Sequence, residues 1–206
     1  MKVLFIEPPK VLWFVMGEYM PPPLGILQLA AYLDSKNDKL DISVLDCQAE
    51  GLGWTKLERY LELAEADVVV ASALATCNTY TILRTLEIAK KANPEVKTVV
   101  GGQHFTALAD ESLKMYPEID FIIRGEGEET LNDLVRNLDQ QLSLSGVKGL
   151  SFRHGTEIIH NPPRPLLENL DDLPFPGYYL VEEHIDKYHF KMMAYSGAGY
   201  TLVEAS

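Results

Sequence analysis

One short run constrains the fold more than any other. Residues 67–73, Asp67-Val68-Val69-Val70-Ala71-Ser72-Ala73, carry almost nothing polar. Successive side chains of a strand point to opposite faces, so a strand apolar on both faces must be covered on both. That places it centrally in a parallel sheet with helices above and below. Four more runs have strand character: residues 2–6, ended by Pro8-Pro9; residues 41–45; residues 96–100, ended by Gly101-Gly102; and residues 119–123. Between them lie stretches of helical spacing. In 24–33 the apolar positions are Ile26, Leu27, Ala30, Ala31 and Leu33. The others are 55–66, 79–92 (closed by Asn93-Pro94), 110–115 and 128–138. Thr55 is the expected N-cap of its helix, with Glu58 at capping-box spacing. Strands alternating with helices, joined by right-handed crossovers, predict an α/β fold. Its core is a doubly wound five-stranded parallel sheet of the Rossmann or flavodoxin-like kind.

The pattern changes after residue 142. Residues 146–153 and 156–160 flank His154-Gly155 and read as a hairpin. Residues 161–176 are rich in proline and read as an extended linker. Beyond them 191–195 and 200–204 have weak strand character. The expected organisation is an α/β domain over 1–142, followed by a hairpin, a linker and the start of a further domain over 143–206. With 18 basic and 30 acidic residues the net charge is −12 and no basic stripe is visible, which disfavours nucleic acid and anionic membrane. Two cysteines supply neither a disulfide framework nor a four-cysteine metal site. No apolar run has the roughly 18–20 residues of a membrane span. Glu7 and Pro8 interrupt any leader peptide, so the expected location is cytoplasmic.

In an open parallel sheet, ligands bind outside the carboxyl ends of the strands, where the strand order reverses. Five loops therefore matter. They begin at Glu7-Pro8-Pro9, Asp46-Cys47-Gln48, Ser72-Ala73-Leu74, Gly101-Gly102-Gln103-His104 and Gly125-Glu126-Gly127. A dinucleotide fingerprint needs three glycines after the first strand, where this chain has two prolines. No P-loop lysine is present, and the loops hold little positive charge beyond Lys10 and Arg124. A phosphoacceptor receiver would need an aspartate at the end of the third strand, which here ends in small residues and Thr76. A flavodoxin-like phosphate loop fails because Pro8-Pro9 has no N–H to donate. What remains is a line of small residues, Ala71, Ser72, Ala73 and Ala75, facing Gly101-Gly102, with Gly125 beyond. They predict a narrow apolar slot, lined by Gly102, for a flat neutral ring. Asp46, Glu50 and Glu126 offer acceptors to amide or hydroxyl donors. The same small residues would also serve to pack helices tightly onto the sheet.

At these residues the sequence resembles the N-terminal cobalamin-binding domain of cobalamin-dependent radical S-adenosylmethionine (SAM) proteins. The matching pieces are Pro8-Pro9, Pro22-Pro23-Leu24-Gly25, Ser72-x-Leu74-x-Thr76 and Val100-Gly101-Gly102-x-His104. Gly125-Glu126-Gly127-Glu128 and Leu170-Asp171-Asp172-Leu173-Pro174-x-Pro176 complete them. The resemblance implies a cobalamin cofactor whose dimethylbenzimidazole tail enters between Ser72-Ala73-Leu74 and Gly101-Gly102, with the corrin over the strand ends. It implies cofactor contacts from Pro8, Pro9, Leu24, Gly25, Asp46, Ser72, Ala73, Leu74, Thr76, Gly101, Gly102, His104, Gly125, Glu126 and Gly127. Methionine-synthase-type domains carry a cobalt-ligating histidine after the first strand. Glu7-Pro8-Pro9 stands there instead, implying a base-off cofactor without a histidine ligand.

The family's Cys-x-x-x-Cys-x-x-Cys cluster motif is missing, since Cys47 and Cys77 lie 30 residues apart. The expectation is a piece of a longer methyltransferase or oxidative cyclase. The 4Fe–4S cluster and SAM would belong only to a downstream radical SAM domain that this piece contacts, and this chain alone would not be catalytic. Two other readings stay open: a non-catalytic sensing or interaction module on a flavodoxin-like sheet, and an enzyme domain binding a sugar or nucleotide. His104 either caps its loop or touches the ligand. His154, His160, His184 and His189 read as surface or linker residues, Cys77 as a small buried thiol, and Glu128 and Glu129 as helix-dipole residues. Trp13 and Phe14 either shield the corrin or serve as packing anchors.

Overall fold

The structure is a computed structural model and describes residues 1–9, 17–73 and 76–192. Its main sheet has seven strands in the order β3-β1-β4-β5-β6-β7-β8. These are β1 (Lys2–Glu7), β3 (Asp41–Asp46), β4 (Val68–Ser72), β5 (Lys97–Gly101), β6 (Phe121–Ile123), β7 (Leu150–His154) and β8 (Glu157–His160). The first five are parallel to one another, as expected. The hairpin β7–β8 joins the same sheet antiparallel to β6, with Phe121 opposite Phe152. A separate two-stranded ribbon pairs β2 (Gly17–Met20) with β9 (His189–Met192). Neither the ribbon nor the short helix α4 (Gln103–Ala107) was expected from the sequence. The strand expected at 200–204 lies outside the described residues, as does most of the one at 191–195.

The central strands are buried on both sides, as their composition requires. Leu4, Ile6, Val69, Ala71 and Val100 face one core. That core is closed by α2 (Trp54–Ala64), α3 (Thr79–Ala92), α4 and α5 (Ala109–Met115). Val3, Phe5, Val68, Val70 and Val99 face the other, closed by α1 (Leu24–Lys36) and α6 (Glu128–Asp139). The hairpin shares this second core through Leu150 and Phe152. Each of these Val, Leu, Ile and Phe side chains taken fully out of water contributes about 1.5–3 kcal/mol.

The capping box expected at Thr55 does not form. Gly53, in extended conformation, is the N-cap of α2, so Thr55 already lies within the helix and makes no cap hydrogen bond. Glu58 instead accepts from Lys91 Nζ on α3 at 2.5 Å. The linker has one short helical turn, Leu170–Asp172, capped by the Asn169 side chain, and later a turn-rich segment, Tyr178–Lys187. No helix among the described residues is long and apolar enough to cross a membrane.

Candidate ligand edge of the sheet

The strand order reverses between β1 and β4. Their carboxyl ends therefore border the crevice in which open α/β sheets bind ligands. Pro8 and Pro9 follow β1 and are buried, and Ser72 and Ala73 close β4 beside them. Leu24 and Gly25 open α1 behind Pro22-Pro23, and Gly25 is exposed with open space where a Cβ would stand. Leu74 lies outside the described residues, as do Trp13 and Phe14.

Gly102 departs from the expectation of an empty slot. It has φ +92° and ψ 175°, a region open essentially to glycine alone. A Cβ there would lie 2.3 Å from the Ala73 carbonyl oxygen and 3.1 Å from Ser72 Oγ. The missing side chain therefore lets two backbones meet. Ala73 N–H also donates to Gly101 O at 3.1 Å. The glycine pair thus joins β4 to β5 in a smooth floor of small residues, with no empty channel at the Gly102 side-chain position.

Above that floor, His104 Nδ1 lies 3.3 Å from Thr76 Oγ1, joining the loops after β4 and β5. Gly125, with φ +76° and open space at its Cβ position, donates its N–H to Thr106 Oγ1 at 3.2 Å. At Gly127 a Cβ would stand 2.8 Å from Leu29 Cδ2 of α1, the far end of a flexible side chain that would have to shift. Arg124, a cation among these loops, turns its guanidinium to the Leu150 and Asn161 carbonyls.

The acidic groups are engaged within the protein. Asp46 is 1% exposed. Its Oδ1 accepts the N–H groups of Gln48 and Ala49 at 2.9 and 3.1 Å, and its Oδ2 accepts the Tyr188 hydroxyl at 3.0 Å. Glu126 Oε2 accepts the Leu167 N–H at 2.7 Å and ties the loop after β6 to the linker. Glu129 binds Arg164 Nη1 at 2.8 Å, a specific ion pair beyond the dipole role expected of it. Tyr188 and Leu167 lie 142 and 41 residues from these two carboxylates, so no local signal in the sequence marks those two bonds.

Cys77 is not the buried thiol expected of it. Cys77 is exposed, in the turn Thr76–Asn78, because that turn stands on the outer rim of the edge. Cys47 is the buried thiol, and burial together with the charges of Asp46, Glu50 and Glu7 pushes it up to about 12. His184 is buried against Glu50, its Nε2 3.6 Å from Oε1, rather than on the surface. Ser151, His160 and Asp110 form a row, with Ser151 Oγ 2.8 Å from His160 Nδ1 and His160 Nε2 3.4 Å from Asp110 Oδ1, but Ser151 is fully buried. The row ties the hairpin to α5.

A doubly wound sheet whose order reverses between β1 and β4, with small residues and glycines ending β4 and β5, defines a class of small-ligand-binding domain. Residues 15–135 match the B12 binding domain family, and the chain belongs to it. More particularly, it is homologous to the cobalamin-binding part of cobalamin-dependent radical SAM enzymes. It is 34% identical over 192 residues to an uncharacterized methyltransferase of Pyrococcus horikoshii, covering 91% of this chain and 40% of that protein. It is 32% identical over 188 residues to the anaerobic magnesium-protoporphyrin IX monomethyl ester cyclase of Rubrivivax gelatinosus, covering 88% and 33%. A solved structure of the cobalamin-dependent SAM radical enzyme OxsB, with aqua-cobalamin bound, superposes with a TM-score of 0.70 at 21% identity, over 88% of this chain and 25% of that one. The chain therefore spans two fifths or less of these relatives.

Proposed function

We propose that this chain holds cobalamin across the carboxyl edge of its sheet, as the cofactor domain of a larger cytoplasmic radical SAM methyltransferase or oxidative cyclase. Residues 1–142 form the cofactor-binding unit, and residues 143–206 lead toward the radical SAM domain. The observation that carries the reading is the carboxyl edge of a B12-binding domain, where the strand order reverses beside the small residues and glycines that end β4 and β5.

The residues present fit the group. Cobalamin carries a corrin rimmed with carboxamides and a flat benzimidazole tail. The open positions at Gly25 and Gly125 leave backbone accessible to such a rim. Thr76 and His104 add hydrogen-bonding groups, and the guanidinium of Arg124 is turned inward. Ser72, Ala73 and Leu74, with Gly101 and Gly102, would border the tail. Pro8, Pro9, Leu24, Gly25, Thr76, His104, Gly125, Glu126 and Gly127 would border the corrin, with Asp46 acting through the loop that it shapes. Bound cobalamin supplies a cobalt that can carry a methyl group or change oxidation state. The chain's own contribution is to bind and orient the cofactor, with Pro8 and Pro9 buried at the end of β1.

The cofactor is base-off and takes no protein histidine, because Glu7-Pro8-Pro9 occupies the loop that would supply one. Electron paramagnetic resonance of the cob(II)alamin complex tests this. The expected spectrum shows no nitrogen superhyperfine splitting; a nitrogen triplet contradicts the assignment, with His104 the first residue to substitute. With cysteines only at 47 and 77, the chain alone supplies no three-cysteine cluster site. Anaerobic reconstitution with iron and sulfide should yield no stoichiometric cluster and no deoxyadenosine from SAM.

A further inference from the structure

The residues beyond the hairpin lie outside the matched family region, which ends at residue 135, yet they return to the ligand edge. Gln28 Nε2 donates to the Pro174 carbonyl, and Gly177 N–H donates to the Leu27 carbonyl, both at 3.0 Å. Val181 and Tyr188, each 1% exposed, then pack with Leu27 and Ala49 in a small core of their own. The chain finishes this course by pairing β9 with β2, the strand that leads into α1. Residues 177–192 thus form a strap bridging α1, the loop after β3 and the β2 strand.

The hold on the β3 loop is polar and buried. One carboxylate, Asp46, does two things: through Oδ1 it closes the turn over Gln48 and Ala49, and through Oδ2 it accepts the Tyr188 hydroxyl. The turn then reaches the end of β1. Cys47 N–H donates to the Glu7 carbonyl at 3.0 Å, and Gln48 Nε2 donates to Glu7 Oε1 at 3.2 Å. Burial beside Asp46 and Glu7 pushes the Tyr188 hydroxyl upward, so it stays protonated and keeps donating. A buried carboxylate oxygen that loses its donor bears a desolvation cost with nothing in return.

We infer that Tyr188 is a positioning residue for the ligand edge: through Asp46 its hydroxyl fixes the 46–51 loop, and with it Glu7, in the arrangement that receives the cofactor. The inference rests on the cobalamin reading and extends it to a segment outside the matched domain.

Tyr188→Phe tests it, because the phenyl ring still fills the cluster with Leu27, Ala49 and Val181. Two readouts are taken on one preparation. Amide hydrogen exchange of the cofactor-free chain reads the turn directly, and protection of Gln48 and Ala49 should fall by about tenfold or more. The Kd for hydroxocobalamin, from a spectral titration, should rise about tenfold. Arg164→Ala serves as the comparison, since it frees the linker from Glu129 and Asp133 on α6 without touching the strap. It should lower the melting temperature and leave both readouts unchanged. Wild-type protection and wild-type Kd in Tyr188→Phe would overturn the inference. So would a lowered melting temperature in both variants with neither readout moved, since Tyr188 would then only support the fold. A wild-type chain that takes up no hydroxocobalamin overturns the cofactor reading itself, and with it the positioning role, before any variant is made.

Discussion

At the residue scale, two glycines on the same edge do opposite things. Gly102 brings β5 against the Ala73 carbonyl, whereas Gly125 faces open space. Gly102→Ala should destabilise the cofactor-free chain by about 3 kcal/mol or more, through backbone strain and a clash that cannot relax. Gly125→Ala should cost only about 1–2 kcal/mol, the penalty of a left-handed conformation. Chemical denaturation of the two variants measures both, and equal costs would contradict this account of the floor. The cysteines give a second test. With its thiol pushed up to about 12, Cys47 is neutral and enclosed near pH 8, while Cys77 is exposed. The thiolate is the reactive species, so one thiol per native chain should react with Ellman's reagent and two after unfolding. The sequence marks the glycine pair at the end of β5 as the lining of a ligand slot, whereas the group that approaches Gly102 is the Ala73 backbone carbonyl. Nor does the sequence reveal the tie of Asp46 to Tyr188 or of Glu126 to Leu167, because those partners come from distant parts of the chain.

At the element scale, the strands and helices that sequence reveals are those whose environment is set locally. β4 is apolar on both faces and α3 has full helical spacing, so both were legible, α3 to the residue. The β2–β9 ribbon was not, because it pairs four-residue strands that lie about 170 residues apart. The helix α4 begins directly after a glycine pair and has five residues, too few for a period to show. The hairpin was visible, but not that it extends the sheet. Arg153 of β7 helps to fix it there, donating to the carbonyls of Leu113, Tyr116 and Ile119 at 3.0, 2.5 and 2.6 Å. Those carbonyls lie at and just beyond the C-terminal end of α5. Arg153→Ala should cost about 2–3 kcal/mol, since hydrogen bonds from a charged group are the stronger kind and three acceptors lose their donor together. Arg153→Lys should recover only part of this, because an ammonium cannot reproduce the planar fork. Full recovery in an unfolding titration would mean that charge alone matters.

At the scale of the whole molecule, the account makes this chain a cofactor holder whose ligand edge is bordered by five loops and strapped by residues 177–192. The fold was legible because an α/β sheet repeats one local pattern. The candidate site was read from the fold, since the strand-order reversal selects the edge. Cobalamin uptake tests the central claim most directly. Purified chain is equilibrated with excess hydroxocobalamin, freed of unbound cofactor by gel filtration, and measured for corrinoid absorbance against protein concentration. The account predicts about one cobalamin per chain, with an absorption spectrum of the base-off form. Recovery of the chain folded and free of corrinoid would contradict it.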